Sequence, residues 1–410
     1  MSLKKNVIGL ATAQIVNYVL PLIQFPYLTR VLSVDTFGIV MISIAVVGAM
    51  QVITDYGLDL YMTKTITSIK EREKHISFYL LQCFVAKIPL LIISLFIMLV
   101  VILKTDLRES ILYSSMLMIS VTFNAFNPMW AFQVMEKSYI YARIATVFRI
   151  LSLVLVFVVI QGDSDYVWYS VIMSINSIGL TVVSMFIAMS YSNLKSGGID
   201  IIAIKSVLRG GFWFFMSKSS SMIVGSACVV YIGIVGTAQQ AAFYGVAEKL
   251  YTASVGAFMP MINALVPYMT RTQNYTMIFK FLIFSLVVCL SIITGCSIMG
   301  EWFISSVFGD ELSDSIIALN ILMFALTLNV VSMIFGYPSL IPLRKEKYAN
   351  ASTIIGGLVQ ISLLAILYEI NHEVNSEHVA YSVTISISIT MSIRICAFIK
   401  EYCNEKKRNE

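Results

Sequence analysis

Long, uninterrupted apolar runs are the feature that most limits what this chain can fold into. They are about 20 residues long, enough for a helix to cross the roughly 30 Å hydrocarbon core of a bilayer. In that core only helices and closed barrels satisfy their own backbone, and a barrel would show shorter, alternating segments. Of the 410 residues, 58% are hydrophobic and only 12% are charged, too few to cover a soluble surface. The sequence therefore predicts an all-α integral membrane protein.

The runs predict about twelve transmembrane helices joined by short loops. Their ranges are 7–28, 37–58, 78–103, 110–134, 139–161, 166–190, 209–235, 241–267, 277–300, 314–337, 348–369 and 378–399. Within the last range, Ser and Thr alternate with apolar residues from Ser382 to Ile393, which is a strand-like period. Because a lone strand in lipid would leave its edges unpaired, we predict a helix there as well.

The basic residues predict the orientation of the chain. Twenty of the 28 Lys and Arg residues lie in, or within five residues of, the N-terminal segment, the C-terminal tail and the alternate loops between them, against three for the opposite loops. By the positive-inside rule, both termini are predicted to be cytoplasmic. The first run is too long for a signal peptide, so we expect an uncleaved anchor. The basic excess then indicates contact with anionic membrane lipids, and no nucleic-acid partner is expected.

A tandem repeat divides the sequence into two halves. Pro128 is followed eight residues later by Glu136, and Pro338 is followed eight residues later by Glu346, an offset of 210. Six helices in each half give both halves the same orientation in the membrane. The predicted domains are an N-terminal six-helix bundle over 1–194, a cytoplasmic linker over 195–208, a C-terminal six-helix bundle over 209–399 and a basic cytoplasmic tail over 400–410.

Two segments carry a resemblance to a known family. The segment 127–137 (NPMWAFQVMEK), together with 27–33 (YLTRVLS) and the following Phe37-Gly38, resembles the polysaccharide exporters of the multidrug/oligosaccharidyl-lipid/polysaccharide (MOP) superfamily, and Wzx-type O-antigen flippases in particular. The resemblance implies a MATE-like pair of six-helix bundles in the bacterial inner membrane. It also implies a non-enzymatic flippase of lipopolysaccharide biosynthesis. Such a protein moves an undecaprenyl-diphosphate-linked oligosaccharide from the cytoplasmic to the periplasmic leaflet, with the O-antigen polymerase complex as a partner.

Five basic residues within or at the ends of predicted helices are candidate substrate-binding residues. A charge at the centre of a membrane helix costs about 2.5–3.5 kcal/mol, so such residues usually face an interior or a wet cavity. A cavity rich in cations suits a diphosphate. The candidates are Arg30, Lys87, Arg149, Lys218 and Lys249, of which the family resemblance bears on Arg30 and Lys249. The alternative is that these cations pair with internal carboxylates or extend to the membrane surface.

Asp55 and Glu248 are the candidate ion-coupling carboxylates. The sequence contains no nucleotide-binding motif and predicts no cofactor, so transport would draw on a gradient of H⁺ or Na⁺. Glu248 directly precedes Lys249 and is expected to point about 100° away from it on the helix. His372 and His378 lie six residues apart, a spacing that does not place two metal ligands on one helix face, so no metal site is predicted.

Polar side chains at helical spacing are candidates for the lining of the same cavity. They are Gln14, Asn17, Gln24, Asn124 and Asn127. Such residues line a cavity or form hydrogen bonds between helices, and the sequence favours neither alternative.

Two other functions remain open at the level of sequence. One is a multidrug or cation antiporter of the same superfamily. The other is a membrane-embedded O-antigen polymerase or glycosyltransferase, which would favour a large external loop that the short predicted loops do not supply.

Overall fold

The computed structural model describes residues 19–67, 72–191, 198–370 and 374–409, with the side chains of all of these except 72–75 and 405–409. Every regular element assigned in these ranges is a helix. The helices are α1 (19–31), α2 (Val34–Asp55), α3 (Leu58–Thr67), α4 (Arg72–Lys104), α5 (Ile111–Ala125), α6 (Met129–Val134), α7 (Ser138–Val159), α8 (Val167–Tyr191), α9 (Ile201–Val224), α10 (Ala227–Val235), α11 (Ala238–Thr272), α12 (Tyr275–Phe308), α13 (Ser315–Ile334), α14 (Tyr337–Leu340), α15 (Glu346–Ile370) and α16 (Ser376–Asn409).

The lengths of these helices suit a membrane. Among the described residues, nine helical segments are long and apolar enough to cross it, or ten if α9 and α10, bent by 53°, form one span. The predicted first span, 7–28, begins outside the described residues. The predicted fourth, 110–134, is interrupted between α5 and α6, where Pro128 disfavours a continuous helix. The all-α membrane architecture is therefore confirmed, whereas the count of twelve and the orientation of the termini stay predictions.

By its internal contacts the chain divides into two compact units, the first ending at Ser219 and the second starting at Ser220. The division falls inside α9, later than the predicted start of the C-terminal bundle at 209. The helix α9 begins at Ile201, inside the predicted linker over 195–208, and the predicted domain bounds stay predictions. Composition suggested a linker there because the segment is basic and contains two glycines, but the helix extends over its second half.

The start of α9 is fixed to the first unit by hydrogen bonds. The side-chain amide of Gln82, on α4, donates to the carbonyl of Gly198 and accepts from the backbone nitrogen of Asp200, both at 3.0 Å. The Asp200 carboxylate in turn accepts from the nitrogen of Ile202 at 2.8 Å. This arrangement supplies a partner to one of the free amides at the beginning of the helix.

The strand-like alternation near the C-terminus lies within α16, so the prediction of a helix is confirmed. Four of its six hydroxyl groups donate to the carbonyl four residues earlier, which satisfies them without a neighbouring strand. These bonds run from Thr384 to Ala380 (2.9 Å), from Ser388 to Thr384 (2.8 Å), from Thr390 to Ser386 (3.0 Å) and from Ser392 to Ser388 (2.8 Å).

The internal repeat is visible in equivalent hydrogen bonds of the two units. In the first unit the hydroxyl of Tyr27 donates to the carbonyl of Ile160 at 2.7 Å. In the second unit the hydroxyl of Tyr231 donates to the carbonyl of Leu364 at 2.8 Å. Each residue of the second pair lies 204 positions after its counterpart. Both bonds therefore join the first and the fifth predicted span of their own half.

The motif that carried the repeat in the sequence also adopts one backbone conformation twice. Glu136 and Arg344 are both left-handed, each with φ of 57°. The next residue in each case donates its backbone nitrogen to a carbonyl five positions earlier, at 2.8 Å and 2.9 Å. The structural offset is thus 208, two residues fewer than the offset of the sequence match. In both halves this turn follows a short helix, α6 or α14, and leads into the next long helix.

The second predicted span is broken at Tyr56 and Gly57, which have φ of 47° and 67°. The ring of Tyr56 stacks on Phe215 of α9 with centroids 4.7 Å apart. A Cβ on Gly57 would lie 2.5 Å from Phe214 Cβ and 2.8 Å from the carbonyl oxygen of Gly211. The break therefore brings the end of α2 and the start of α3 against one face of α9.

Replacing Gly57 by alanine should destabilise the protein. The left-handed backbone alone costs a residue with a Cβ about 1–2 kcal/mol, and the close approach of α9 adds to it. The matched control is Gly48→Ala, because Gly48 lies inside α2 with open space around it, where alanine should stabilise the helix by about 0.5–1 kcal/mol. Unfolding in mixtures of SDS and mild detergent measures both changes. Equal stability of the two variants would contradict this account of the break.

Candidate functional site

Lys87 is buried and ion-paired in the first unit. It lies in α4, its side chain is 3% exposed, and its Nζ is 3.7 Å from Oδ1 of Asp59 in α3. A buried ammonium in an apolar span requires an opposite charge nearby, and Asp59 supplies it. The internal-pairing alternative therefore holds for Lys87, and its predicted contact with a substrate stays a prediction.

Lys218 is also ion-paired, with Asp55, but it is far more accessible. Its Nζ is in contact with Oδ2 of Asp55 at the end of α2, and the side chains are 46% and 13% exposed, respectively. Lys218 lies on the face of α9 that carries Phe214 and Phe215. The break of the second span therefore places the candidate coupling carboxylate beside this lysine.

In the second unit Lys249 pairs with its own neighbour. Its Nζ lies 2.8 Å from Oε2 of Glu248, whose side chain is 5% exposed, and Thr252 donates to Oε1 at 3.0 Å. The internal-pairing alternative therefore holds for Lys249 as well. The Cα–Cβ directions of consecutive helical residues do diverge, but the four-carbon stem of lysine spans the difference.

Arg149 differs from these three lysines. It lies half-buried in α7, and in the part of the chain that the structure describes it has no carboxylate partner. The titratable side chain that interacts with it is the phenol of Tyr141, two turns earlier on the same helix. Arg30 lies at the exposed end of α1. A half-buried guanidinium with five donors and no carboxylate is suited to an anion from outside the chain.

Some of the polar side chains that were predicted to line a cavity form hydrogen bonds within the protein instead. Asn124 donates to Ser177 of α8 at 2.7 Å and to the carbonyl of Ser120 at 3.1 Å, so it joins two helices. Asn127 donates to the hydroxyl of Tyr141 at 2.9 Å, while its own Oδ1 accepts no hydrogen bond. The hydrogen-bonding alternative therefore holds for Asn124.

The remaining polar candidates belong to the first predicted span. Gln24 lies in α1 beside the hydroxyl of Tyr169. Gln14 and Asn17 lie outside the described residues, so their predicted place in a cavity lining stays a prediction.

Arg394 is a structural residue that sequence reasoning missed. In the sequence it appears only as one more basic residue in the last predicted span. In the structure its guanidinium connects α16 to α13 and α15. It donates to the carbonyl (2.9 Å) and hydroxyl (3.1 Å) of Ser332, to the hydroxyls of Ser352 (2.9 Å) and Thr353 (2.8 Å), and to the carbonyl of Ala349 (3.4 Å). Its depth within an apolar run was the available signal.

These contacts define the chemistry that the spans offer. The lysine ammonium groups described above are balanced by carboxylates, and Arg149 offers a guanidinium to an anion. Within the described ranges no three His, Cys, Asp or Glu side chains come together in a way that would hold a metal ion. Among the basic side chains described above, the Arg149 guanidinium is the one suited to an anionic ligand.

Fold and buried charges together define a multi-pass helical membrane protein built as a tandem repeat. The family model of polysaccharide biosynthesis proteins matches residues 3–273, and the chain belongs to that family. Two curated relatives share the name "Putative O-antigen transporter". The one from Escherichia coli K12 is 23% identical over 89% of each chain. The one from Shigella dysenteriae is 24% identical over 88% of this chain and 91% of its own.

Solved structures show the same fold. The lipid II flippase MurJ, in an inward closed conformation, matches with a TM-score of 0.72 at 15% identity, covering 97% of this chain and 89% of its own. An inward-facing MATE transporter of the MOP superfamily matches with a TM-score of 0.63 at 14% identity over 97% and 98%. The resemblance found in the sequence and the MATE-like fold are thus confirmed. The chain is a multi-pass helical membrane protein of the polysaccharide biosynthesis family.

Proposed function

We propose that this protein flips an undecaprenyl-diphosphate-linked oligosaccharide, an O-antigen unit, from the cytoplasmic to the periplasmic leaflet of the bacterial inner membrane. The family match, the names of both curated relatives and the fold shared with a lipid II flippase support the proposal. The prenyl chain would stay in the bilayer while alternating access moves the sugar diphosphate across. The expected partners are membrane lipids and the O-antigen polymerase complex.

The observation that carries this proposal is the unpaired guanidinium of Arg149. A cationic drug would need an unpaired carboxylate, whereas an anionic cargo needs a cation that no internal carboxylate already neutralises. In the described part of the chain Arg149 meets this need, and a guanidinium binds phosphate oxygens through two parallel hydrogen bonds. Arg30, Lys218 and Lys249 are proposed as further contacts of the cargo, whereas Lys87, which is buried and ion-paired, is proposed to support the site through the fold.

A coupling ion, H⁺ or Na⁺, is proposed to bind at Asp55 or Glu248. Both carboxylates are largely buried within spans, and both are balanced by a lysine that is more exposed than they are. A carboxylate with such a partner can exchange the lysine for a small cation when the protein changes conformation. Transport measured with either ion gradient collapsed separates H⁺ from Na⁺ coupling.

Replacing Arg149 by glutamine should reduce transport about 10- to 100-fold, because a hydrogen bond to a charged group contributes about 1.5–3 kcal/mol. The matched control is Arg143→Gln on the same helix. Arg143 is exposed and contacts the ring of Tyr139 at 5.5 Å, and its loss should leave transport unchanged. The readout is the amount of surface O-polysaccharide at equal protein levels. Equal transport by the two variants would contradict the role of Arg149.

A deletion strain tests the function itself. We expect undecaprenyl-linked oligosaccharide to accumulate on the cytoplasmic face, and expression of the unaltered chain should restore its export. If the intermediate reaches the periplasmic face normally in the deletion strain, the proposed function is wrong. Increased drug sensitivity of that strain, with normal O-polysaccharide, would favour the multidrug antiporter.

A further inference from the structure

Four charged side chains of the first unit surround the break between α2 and α3. We call this group the charge quartet: Asp55, Asp59, Lys87 and Lys218. The carboxylates lie on either side of the break, Lys87 comes from α4 and Lys218 comes from α9. Two positive and two negative charges make the quartet neutral, which is the condition under which charges persist in an apolar region.

The two ion pairs of the quartet differ in access. The Lys87 side chain is almost fully enclosed, and Asp59 holds it. Lys218 is nearly half exposed, whereas Asp55 is mostly buried and its Oδ1 accepts no hydrogen bond. Because a lysine side chain has a long flexible stem, Lys218 can turn to a ligand without movement of α9. Asp55 has a short side chain and lies at the end of α2, so its carboxylate cannot move along with the lysine.

We propose that Lys218 is an exchangeable partner of Asp55. It leaves the carboxylate to bind a phosphate oxygen of the anionic cargo, and a monovalent cation, H⁺ or Na⁺, takes its place on Asp55. No covalent bond of the cargo changes. After the exchange the two carboxylates are balanced by Lys87 and the bound cation, and Lys218 is balanced by the phosphate. This inference rests on the proposed function, since it requires a cargo with phosphate groups.

Electrostatics around Asp55 explain why a cation has to replace the lysine. The charged groups that face Asp55 are Lys218, Asp59 and Lys87, and Lys87 is already held by Asp59. Departure of Lys218 alone would leave the quartet with a net negative charge on a mostly buried carboxylate, which is costly. Asp55 is also the last residue of α2, and the negative end of the helix dipole favours a cation at that place.

The exchange makes binding of cargo and binding of cation mutually dependent. Each phosphate that draws Lys218 away opens one cation site, and each cation on Asp55 frees one lysine. By linkage, the cation raises the affinity for the cargo as much as the cargo raises the affinity for the cation. A flippase with this exchange would couple movement of the cargo to movement of a cation without hydrolysing a nucleotide.

Calorimetry on the unaltered full chain tests the exchange. Farnesyl diphosphate serves as the probe for a polyprenyl diphosphate, and the protein is held in a lipid nanodisc. Titrations in buffers of different ionisation enthalpy measure proton uptake, and titrations with Na⁺ replaced by choline measure the dependence on Na⁺. For each diphosphate bound we expect uptake of about one cation. It should appear either as proton uptake in the first series of titrations or as a dependence on Na⁺ in the second.

The outcomes separate this inference from the proposed function. Binding of farnesyl diphosphate without uptake of either cation overturns the exchange and leaves the proposed function standing. A chain that does not bind the probe at all contradicts both. Uptake in the proton arm identifies H⁺, and loss of affinity in choline identifies Na⁺.

Two variants and a control sharpen the test. Asp55→Asn removes the competing carboxylate, so the affinity for the probe should rise about three- to tenfold and cation uptake should vanish. Lys218→Gln should lower the affinity. The control is Glu401→Gln, since Glu401 forms a 3.2 Å pair with Lys345 whose exposures of 12% and 42% resemble those of Asp55 and Lys218. An unchanged or lowered affinity in Asp55→Asn, or an equal rise in the control, contradicts the proposal.

Discussion

Replacing Arg394 by leucine should lower the free energy of unfolding by about 2–4 kcal/mol. The guanidinium serves acceptors on two neighbouring helices, among them the carbonyl and hydroxyl of Ser332 in the last turn of α13. Carbonyls in the last turn of a helix lack an intrahelical partner, and a positive charge there also complements the helix dipole. Leucine fills part of the space but leaves these acceptors without donors.

Two further variants control this result. Arg394→Lys keeps the charge, but one ammonium cannot reach acceptors spread over α13 and α15, so an intermediate loss is expected. Lys400→Leu changes an exposed cation on the same helix and should have little effect on stability. Unfolding in SDS and mild detergent gives all three values. If Arg394→Leu unfolds at the same SDS fraction as the unaltered protein, the guanidinium does not hold these helices together.

Much of the fold was predictable from the sequence because a bilayer imposes simple rules on it. Apolar run lengths located the spans, and the requirement for satisfied backbone groups fixed them as helices even where Ser382 to Ile393 alternate like a strand. Details that depend on local chemistry were not predictable in this way. The left-handed residues at Tyr56 and Gly57 break the second span, although no proline marks the position.

The candidate site was predictable as a set of charges but not as a set of pairs. Depth within an apolar run identifies Lys87 and Arg149 equally well. Which of them meets a carboxylate depends on how α3 and α4 pack side by side, since Asp59 lies 28 positions from Lys87 along the chain. The same limit applies to Arg394, whose partners lie on two other helices. The packing of the helices against one another decides which cation meets a carboxylate and which connects helices, and a single sequence does not contain this information.

Removing either member of the pair of Lys87 and Asp59 should destabilise the protein by about 3–5 kcal/mol, because each change leaves an uncompensated charge in an apolar region. The variants Lys87→Met and Asp59→Asn test this. The double variant should recover most of the loss, since it leaves no charge behind, and its recovery measures the coupling between the two side chains. Unfolding in SDS mixtures gives the free energy of unfolding of the unaltered protein, the two single variants and the double variant, which together form a double-mutant cycle.

The same cycle decides what Lys87 contributes to transport. A lysine with a 3% exposed side chain and a carboxylate at 3.7 Å is expected to act through folding, so Lys87→Met should lose transport in proportion to folded protein. The double variant, which also keeps the charge quartet neutral, should then regain transport together with stability. If it folds normally but does not export O-polysaccharide, the ammonium itself must reach the cargo, and Lys87 belongs with Arg149 among the binding residues. Arg149→Gln should show the opposite pattern, with transport lost and stability kept, because no internal carboxylate depends on it.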